Sequence, residues 1–424
     1  MNAELLLDLI DRSPTPFHAV ATAKDLLTQA GYAPVPTDGT PYGAGYWYAE
    51  RNGSALIAFR IPENVNPATV SFRISAAHGD SPCFRLKPNH QLQGAYSRLN
   101  TEVYGGSIYH TWTDVPLALA GRVTVREETG LVSRLVHLNR PVAVIPNTAP
   151  HQRPMNSGLE LNPASDLIPL FGASGDILDQ VAVELGVERD AIVGQDLSLV
   201  SYGKGFVFGP EGEYIFSPRL DDLECVFTCL DGLLSSKSPE NVISLFALFD
   251  NEETGSLSYA GAASTLMRDV LARILPDEGQ RQDALARSFF VSADNGHAIH
   301  PNHPELSDGK NAPVLNGGVV LKYNASLRYV SDGFTGALFG EICRRADVPV
   351  QIFANRSDKP GGSTLGRLSE AQVPLRGIDI GAAQLAMHSA RETAGSRDVE
   401  YLARAMTAFY SENFTLSADG VQWN

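Results

Sequence analysis

Val242-Ile243-Ser244-Leu245-Phe246-Ala247-Leu248-Phe249 runs without a break into Asp250-Asn251-Glu252-Glu253-Thr254-Gly255-Ser256. An apolar run of this length bounded by turn residues reads as a buried strand. It ends on adjacent carboxylates, whose burial is costly unless something cationic meets them; a pair of metal ions fills that role. On an extended segment neighbouring side chains point to opposite sides. Glu252 and Glu253 are therefore expected to divide the work at such a centre, one as a metal ligand and one as the general base of a hydrolase.

Other runs end in the same way. Thr69 to Ala77 reads as a buried strand running into His78, Ser288 to Ala293 as one ending on Asp294, and Arg376 to Ile380 as one leading through a glycine towards His388 in the following loop. Asp221 opens an amphipathic helix, marked by Leu223, Val226, Phe227, Leu230 and Leu233, directly after Arg219-Leu220. Strands alternating with helices predict an α/β fold, a sheet with helices on both faces. In such sheets functional groups collect outside the carboxyl ends of the strands. His78, Asp221, Glu253, Asp294 and His388 together offer imidazole nitrogen and carboxylate oxygen, the donors that ions of the zinc type accept. These five serve two ions only if one is shared, and a carboxylate such as Asp221 can bridge ions about 3.5 to 4 Å apart. Glu252 is left over as the base. In His78-Gly79-Asp80, Asp80 is placed to hold the second ring proton of His78, directly or through neighbouring backbone.

At 424 residues the chain exceeds what one hydrophobic core usually serves. Arg122 to Arg126 and Leu131 to Leu138 alternate across a Glu-Thr-Gly turn, as in a β-hairpin, and a proline-rich stretch from Pro141 to Pro163 follows. Residues 85–211 are accordingly expected to form an inserted β-rich domain, and 1–84 with 212–424 a discontinuous catalytic domain. At the amino end Leu5, Leu6, Leu9 and Ile10 predict a helix; Ser13-Pro14-Thr15-Pro16 breaks it and begins a second with a Thr cap and Pro at its first position. A net charge of −15 with no basic cluster argues against nucleic acid. No stretch approaches the roughly 18 apolar residues of a membrane span, and Glu4 and Asp8 do not suit a secretory signal. Cys83, Cys225, Cys229 and Cys343 are too scattered for a disulfide framework, so a cytoplasmic protein is expected.

Taken in order, several blocks resemble the M18 metallopeptidases, the aspartyl aminopeptidase family, over nearly the whole chain. They are His78 to Cys83, Pro218 to Leu223, Asp250 to Ser256, Ser292-Ala293-Asp294, Lys322 to Tyr329, Gly362-Ser363-Thr364 and Met387 to Glu392. The resemblance implies a metallopeptidase-type mixed sheet flanked by helices, with the inserted β-rich domain at a dimer contact. It implies two divalent ions, zinc first and manganese or cobalt as alternatives. Asp221 becomes the bridging ligand, His78 and Asp294 ligands to one ion, Glu253 and His388 ligands to the other, and Glu252 the base. Lys322 matches a lysine that contacts an acidic first side chain, Tyr329 closes the same block at the substrate site, and His151 matches a histidine lent to the partner's active site. The implied protein is a homo-oligomer, dimers building a dodecamer, that removes amino-terminal Asp or Glu from soluble peptides. Asp222 stands where the family commonly has asparagine, and Thr254 where it has valine.

His297, His300 and His303, interrupted by Pro301 and Pro304, suit a loop beside the site rather than a ligand face, and His18 and His110 suit structural roles. Two other functions compete: a related amide hydrolase (deacylase or dipeptidase) with the same metal core, and a self-assembling scaffold with a silent site. A silent site has no chemical need for Glu252 beside five ligands.

Overall fold

The computed structural model describes residues 1–152, 160–417 and 420–423. At its centre lies a mixed nine-stranded sheet in the spatial order Ala33–Pro34, Gly45–Arg51, Ala55–Ile61, Val242–Phe249, Ser71–His78, Phe289–Ala293, Gly377–Gly381, Val319–Tyr323 and Val350–Ala354. The strands from Val242–Phe249 to Gly377–Gly381 are mutually parallel, and antiparallel neighbours bound them on both sides. Their carboxyl ends therefore open on one edge of the sheet.

Every residue of Val242–Phe249 is buried. Alternation along the strand sends Phe246 and Leu248 into the core shared with the helices Leu220–Ser235 and Asp398–Ser411. Ile243, Leu245, Ala247 and Phe249 enter the opposite core, beside the helix Leu266–Ile274. A strand covered on both faces has no polar side to spare, which is why its sequence reads as a continuous apolar run. The helices Leu220–Ser235 and Asp398–Ser411 pack closely because Gly232 has no side chain. A Cβ there would lie 2.5 Å from Met406 Cβ and 2.8 Å from the Met406 carbonyl carbon.

The first two helices are Ala3–Asp11 and Pro16–Gln29, with Thr15 at the second helix's N-cap. The expected capping bond is not made: Thr15 Oγ1 turns to His18 Nδ1 at 2.8 Å instead of to a backbone N–H. Six strands, Cys83–Leu92, Ser97–Tyr104, Pro116–Glu127, Gly130–Val144, Leu170–Gly172 and Ile192–Ser201, close into a barrel with its own core around Leu99, Val123, Leu138 and Leu197. Pro116–Glu127 and Gly130–Val144 form a hairpin with Glu127 opposite Gly130. The barrel touches the main sheet's layers through a His18–His137 ring pair at 5.9 Å and through Arg122, bonded to Asp196 at 2.8 Å and to Asn52 Oδ1 at 3.2 Å.

A third, five-stranded sheet holds Phe206–Phe208, Tyr214–Ser217, Glu392–Gly395, Ala383–Leu385 and Gly296–His297. His388 lies in a loop after Gly377–Gly381, as expected, but a short strand, Ala383–Leu385, intervenes, and the loop joins it to the antiparallel Glu392–Gly395. The four cysteines are buried and unpaired. Among the described residues no helix is long and apolar enough to cross a membrane.

Candidate metal centre

His78 ends its strand in register with Phe249, and Asp294 follows the adjacent parallel strand. Asp221 enters from the first turn of Leu220–Ser235, where Asp221 and Asp222 depart from helical geometry (ψ 106° and φ −123°). His388 comes across from the small sheet with φ +68°.

These residues form two groups whose donor atoms lie within 4.8 Å of one another: His78, Asp221, Asp222 and Asp294, and then Asp221, Glu253 and His388. Asp221 belongs to both. Its Oδ1 is 3.4 Å from His78 Nε2 and its Oδ2 is 3.4 Å from His388 Nε2, while Glu253 Oε2 is 3.2 Å from the same His388 nitrogen. Asp221 Oδ1, Asp222 Oδ1 and Glu253 Oε1 are buried without a hydrogen-bond partner. An orphaned buried acceptor costs about 1–3 kcal/mol, more when charged. Unfilled carboxylate oxygens facing imidazole nitrogens are a donor set that divalent ions of the zinc type fit.

Proton affinities across the cluster report the same crowding. Burial pushes Glu253 and Asp222 well above the usual carboxylate range, and Glu252 up to about 8, with Asp294, Asp80 and Asp221 adding to the rise of Glu252. His388 is raised to about 10: burial opposes the shift, but the Asp221 and Glu253 carboxylates outweigh it. His78 is raised likewise by Asp221 and Asp80 against its burial. Asp221 goes the other way, held down by His388 and His78 in spite of burial.

The glutamate pair is not on an extended segment, contrary to the sequence expectation. Asn251 adopts a left-handed conformation (φ 61°) and Glu252–Thr254 form a 3-10 turn. Asp80 holds this turn: Oδ1 accepts the Glu252 N–H at 3.0 Å, and Oδ2 accepts the Glu253 N–H at 3.1 Å and the Tyr104 O–H at 2.6 Å. The two glutamates diverge because of the turn rather than strand alternation. Glu253 joins the second donor group, and among the described residues Glu252 joins neither. The Asp80 carbonyl oxygen also lies 3.0 Å from His78 Nδ1, with the carboxylate at 3.4 Å, leaving Nε2 turned towards Asp221.

Two acids here escaped the sequence reading. Glu392 accepts the Asp221 N–H at 3.0 Å with one oxygen and the His388 N–H at 2.8 Å with the other, tying two distant segments together. Burial and the Asp221 charge push it up to about 8. Asp222, noted only as an unusual neighbour, lies in the first donor group and accepts the His78 N–H at 3.3 Å. The one available signal was the position of Glu392 four residues after His388 in a charged block.

Lys322, within the strand Val319–Tyr323, is 2% exposed. Its Nζ lies 3.2 Å from Asp294 Oδ1, 2.8 Å from the Asn295 carbonyl oxygen and 5.5 Å from the ring centre of buried Tyr329. His151 is exposed beyond the strand Gly130–Val144 and, like His297, His300 and His303, joins neither donor group among the described residues.

Parallel strand ends that gather histidines and carboxylates into a cation-demanding centre, with an uncommitted glutamate beside it, define a metal-dependent hydrolase. Residues 9–410 match the family described as Aminopeptidase I zinc metalloprotease (M18), and the chain belongs to that family. It is 42% identical over 428 residues to "Probable M18 family aminopeptidase 2" of Clostridium novyi, covering 96% of this chain and 98% of the relative. Among solved structures it resembles a chain of the Ape4 and Nbr1 complex, with a TM-score of 0.92, 35% identity, and 96% and 85% of the two chains covered. It also resembles the S. cerevisiae mApe1 dodecamer structure, with a TM-score of 0.83, 28% identity, and 96% and 95% covered. The protein is a metallo-aminopeptidase with the family's α/β fold.

Proposed function

We propose that this aminopeptidase works with two divalent ions, zinc or alternatively manganese or cobalt, and releases amino-terminal Asp or Glu from peptides. His78 and Asp294 would hold one ion, Glu253 and His388 the other, and Asp221 both. The observation that carries this reading is the membership of Asp221 in both donor groups, each of its oxygens facing a different histidine. Asp222, with one oxygen committed to the His78 N–H, is read as an orienting neighbour rather than a sixth ligand.

When bound, the ions supply Lewis acidity, polarising the scissile carbonyl and making water easier to deprotonate. Glu252 accepts the proton of the attacking water and returns it to the departing amine. Asp80 fixes Glu252 and Glu253 by their backbone N–H groups, and Tyr104 braces Asp80. Lys322, beside Tyr329 and paired with Asp294, is the counter-charge for an acidic first side chain once Asp294 is drawn to an ion. The barrel, which overlaps the expected 85–211 insertion and begins two residues before it at Cys83, serves as the dimer contact and brings His151 to the partner's site. Dimers assemble further into a dodecamer, the assembly that the similar S. cerevisiae mApe1 forms. The working compartment is the cytoplasm, with neither membrane nor nucleic acid as partner.

A panel of aminoacyl amides, tested after metal stripping and single-ion reconstitution, checks this reading. Glu252→Gln is expected to fold, assemble and retain metal while kcat drops by about 10²–10⁴. Turnover of Asp-peptides at the wild-type rate by that variant would remove the base. Cleavage of amino-terminally blocked peptides would favour the deacylase instead.

A further inference from the structure

A cleft of about 370 Å³ opens beside Glu252, Glu253 and His388, and its outer wall includes Leu257, Ser363 and Arg367. Arg367 lies in the first turn of the helix Gly366–Gln372 and is exposed. Among the described residues it makes no hydrogen bond or ion pair. Its guanidinium therefore faces the cleft with its donors uncommitted, whereas Arg281, Arg344 and Arg345 are each held by a glutamate. The acids nearest to hand in the cleft do not satisfy it. Glu253 is turned to His388, and the Glu252–Glu253 turn is tied back to Asp80.

The two sides of the centre differ in a way that assigns a direction. On the Asp294 side, Lys322 and Tyr329 are buried, Tyr329 packed with Phe353 and Ala298 and the Lys322 ammonium held 3.2 Å from Asp294 Oδ1. On the aminopeptidase reading the amino-terminal residue goes there, so the rest of the peptide leaves through the open cleft past Arg367. A guanidinium presents paired N–H donors that match a carboxylate in a bidentate fork.

We propose that Arg367 determines specificity on the leaving-group side, receiving a carboxylate that belongs either to the free carboxyl terminus of a dipeptide or to an acidic second residue. The inference rests on the aminopeptidase reading, and the test separates the two. Wild type, Arg367→Gln and Arg367→Lys are compared on Asp-Ala against Asp-Ala-amide, and on Asp-Glu-amide against Asp-Gln-amide. For Arg367→Gln, the kcat/KM preference for the carboxylate member of at least one pair is expected to fall about three- to tenfold, through KM, as suits a partly exposed charge pair. Arg367→Lys should be intermediate. A fall in the first pair alone identifies the terminal carboxylate, and a fall in the second alone the side chain. Unchanged ratios in both pairs, or an equal drop on every substrate, would overturn the assignment. Failure of wild type to cleave Asp-Ala-amide at all would instead count against the underlying aminopeptidase reading.

Discussion

Asp80→Asn probes what holds the glutamate turn in place. In the native site one carboxylate oxygen serves the Glu252 N–H and the other serves the Glu253 N–H and Tyr104 hydroxyl. An amide keeps only one acceptor oxygen. With that oxygen in the Oδ2 position, the NH₂ group faces the Glu252 N–H, donor against donor; flipped, it faces the Glu253 N–H. Either way at least one charge-assisted bond is lost and one N–H is stranded in a site where Asp80 is fully buried. Such a loss is worth about 1.5–3 kcal/mol. If it falls on the positioning of Glu252, kcat drops roughly ten- to hundredfold with little change in KM, at about 1.4 kcal/mol per decade. Tyr104→Phe, which leaves both backbone bonds intact, should cost less. Steady-state kinetics on an Asp-aminoacyl amide, run beside denaturant unfolding of the same zinc-loaded preparations, measures both quantities. Native kcat together with a native unfolding midpoint in Asp80→Asn would refute the reasoning.

Lys322→Ala removes the cation paired with Asp294; kcat/KM should fall at least about tenfold more on Asp than on Leu substrates, and equal losses would dismiss the acidic pocket. Gly232→Ala sets a methyl 2.5 Å from Met406 Cβ, an overpacking expected to cost about 1–3 kcal/mol; an unshifted unfolding midpoint would show that the two helices can separate freely. His18 is lowered to about 4 by burial, then by His137 and Arg219. Its folded-state affinity for protons lies below the ordinary value near 6.5, so its contribution to stability is present above that pH and is lost as pH falls towards 4. Between pH 7.5 and 5 the wild type should therefore lose more of its unfolding midpoint than His18→Gln, and equal losses would contradict a neutral, buried ring.

The parts of this protein legible in its sequence are those governed by one-dimensional pattern. Val242–Phe249 and Ser71–His78 are buried on both faces, so their apolar runs announce them, and the polar residue at the end of each run marks the catalytic edge. The turn at Asn251 was misread because a left-handed asparagine leaves no periodic trace, and what fixes the turn is Asp80, 172 residues away from its Glu252 partner. The roles of Glu392 and Asp222 leave no pattern in the sequence for a related reason. A buried carboxylate that accepts backbone N–H groups looks in sequence like any surface acid, and its role appears only once Asp221 and His388 have been folded against it. The pairing of Lys322 with Asp294 likewise depends on sheet order, since the Gly377–Gly381 strand lies between theirs.

The most direct test of the central claim counts metal. Protein stripped of ions and titrated with zinc should bind two equivalents per protomer, and activity should be complete only at the second. Asp221→Asn should fold yet hold fewer than one equivalent tightly, because both positions draw on that carboxylate. Full activity and saturation at a single equivalent, or two tightly held ions in Asp221→Asn, would contradict the account.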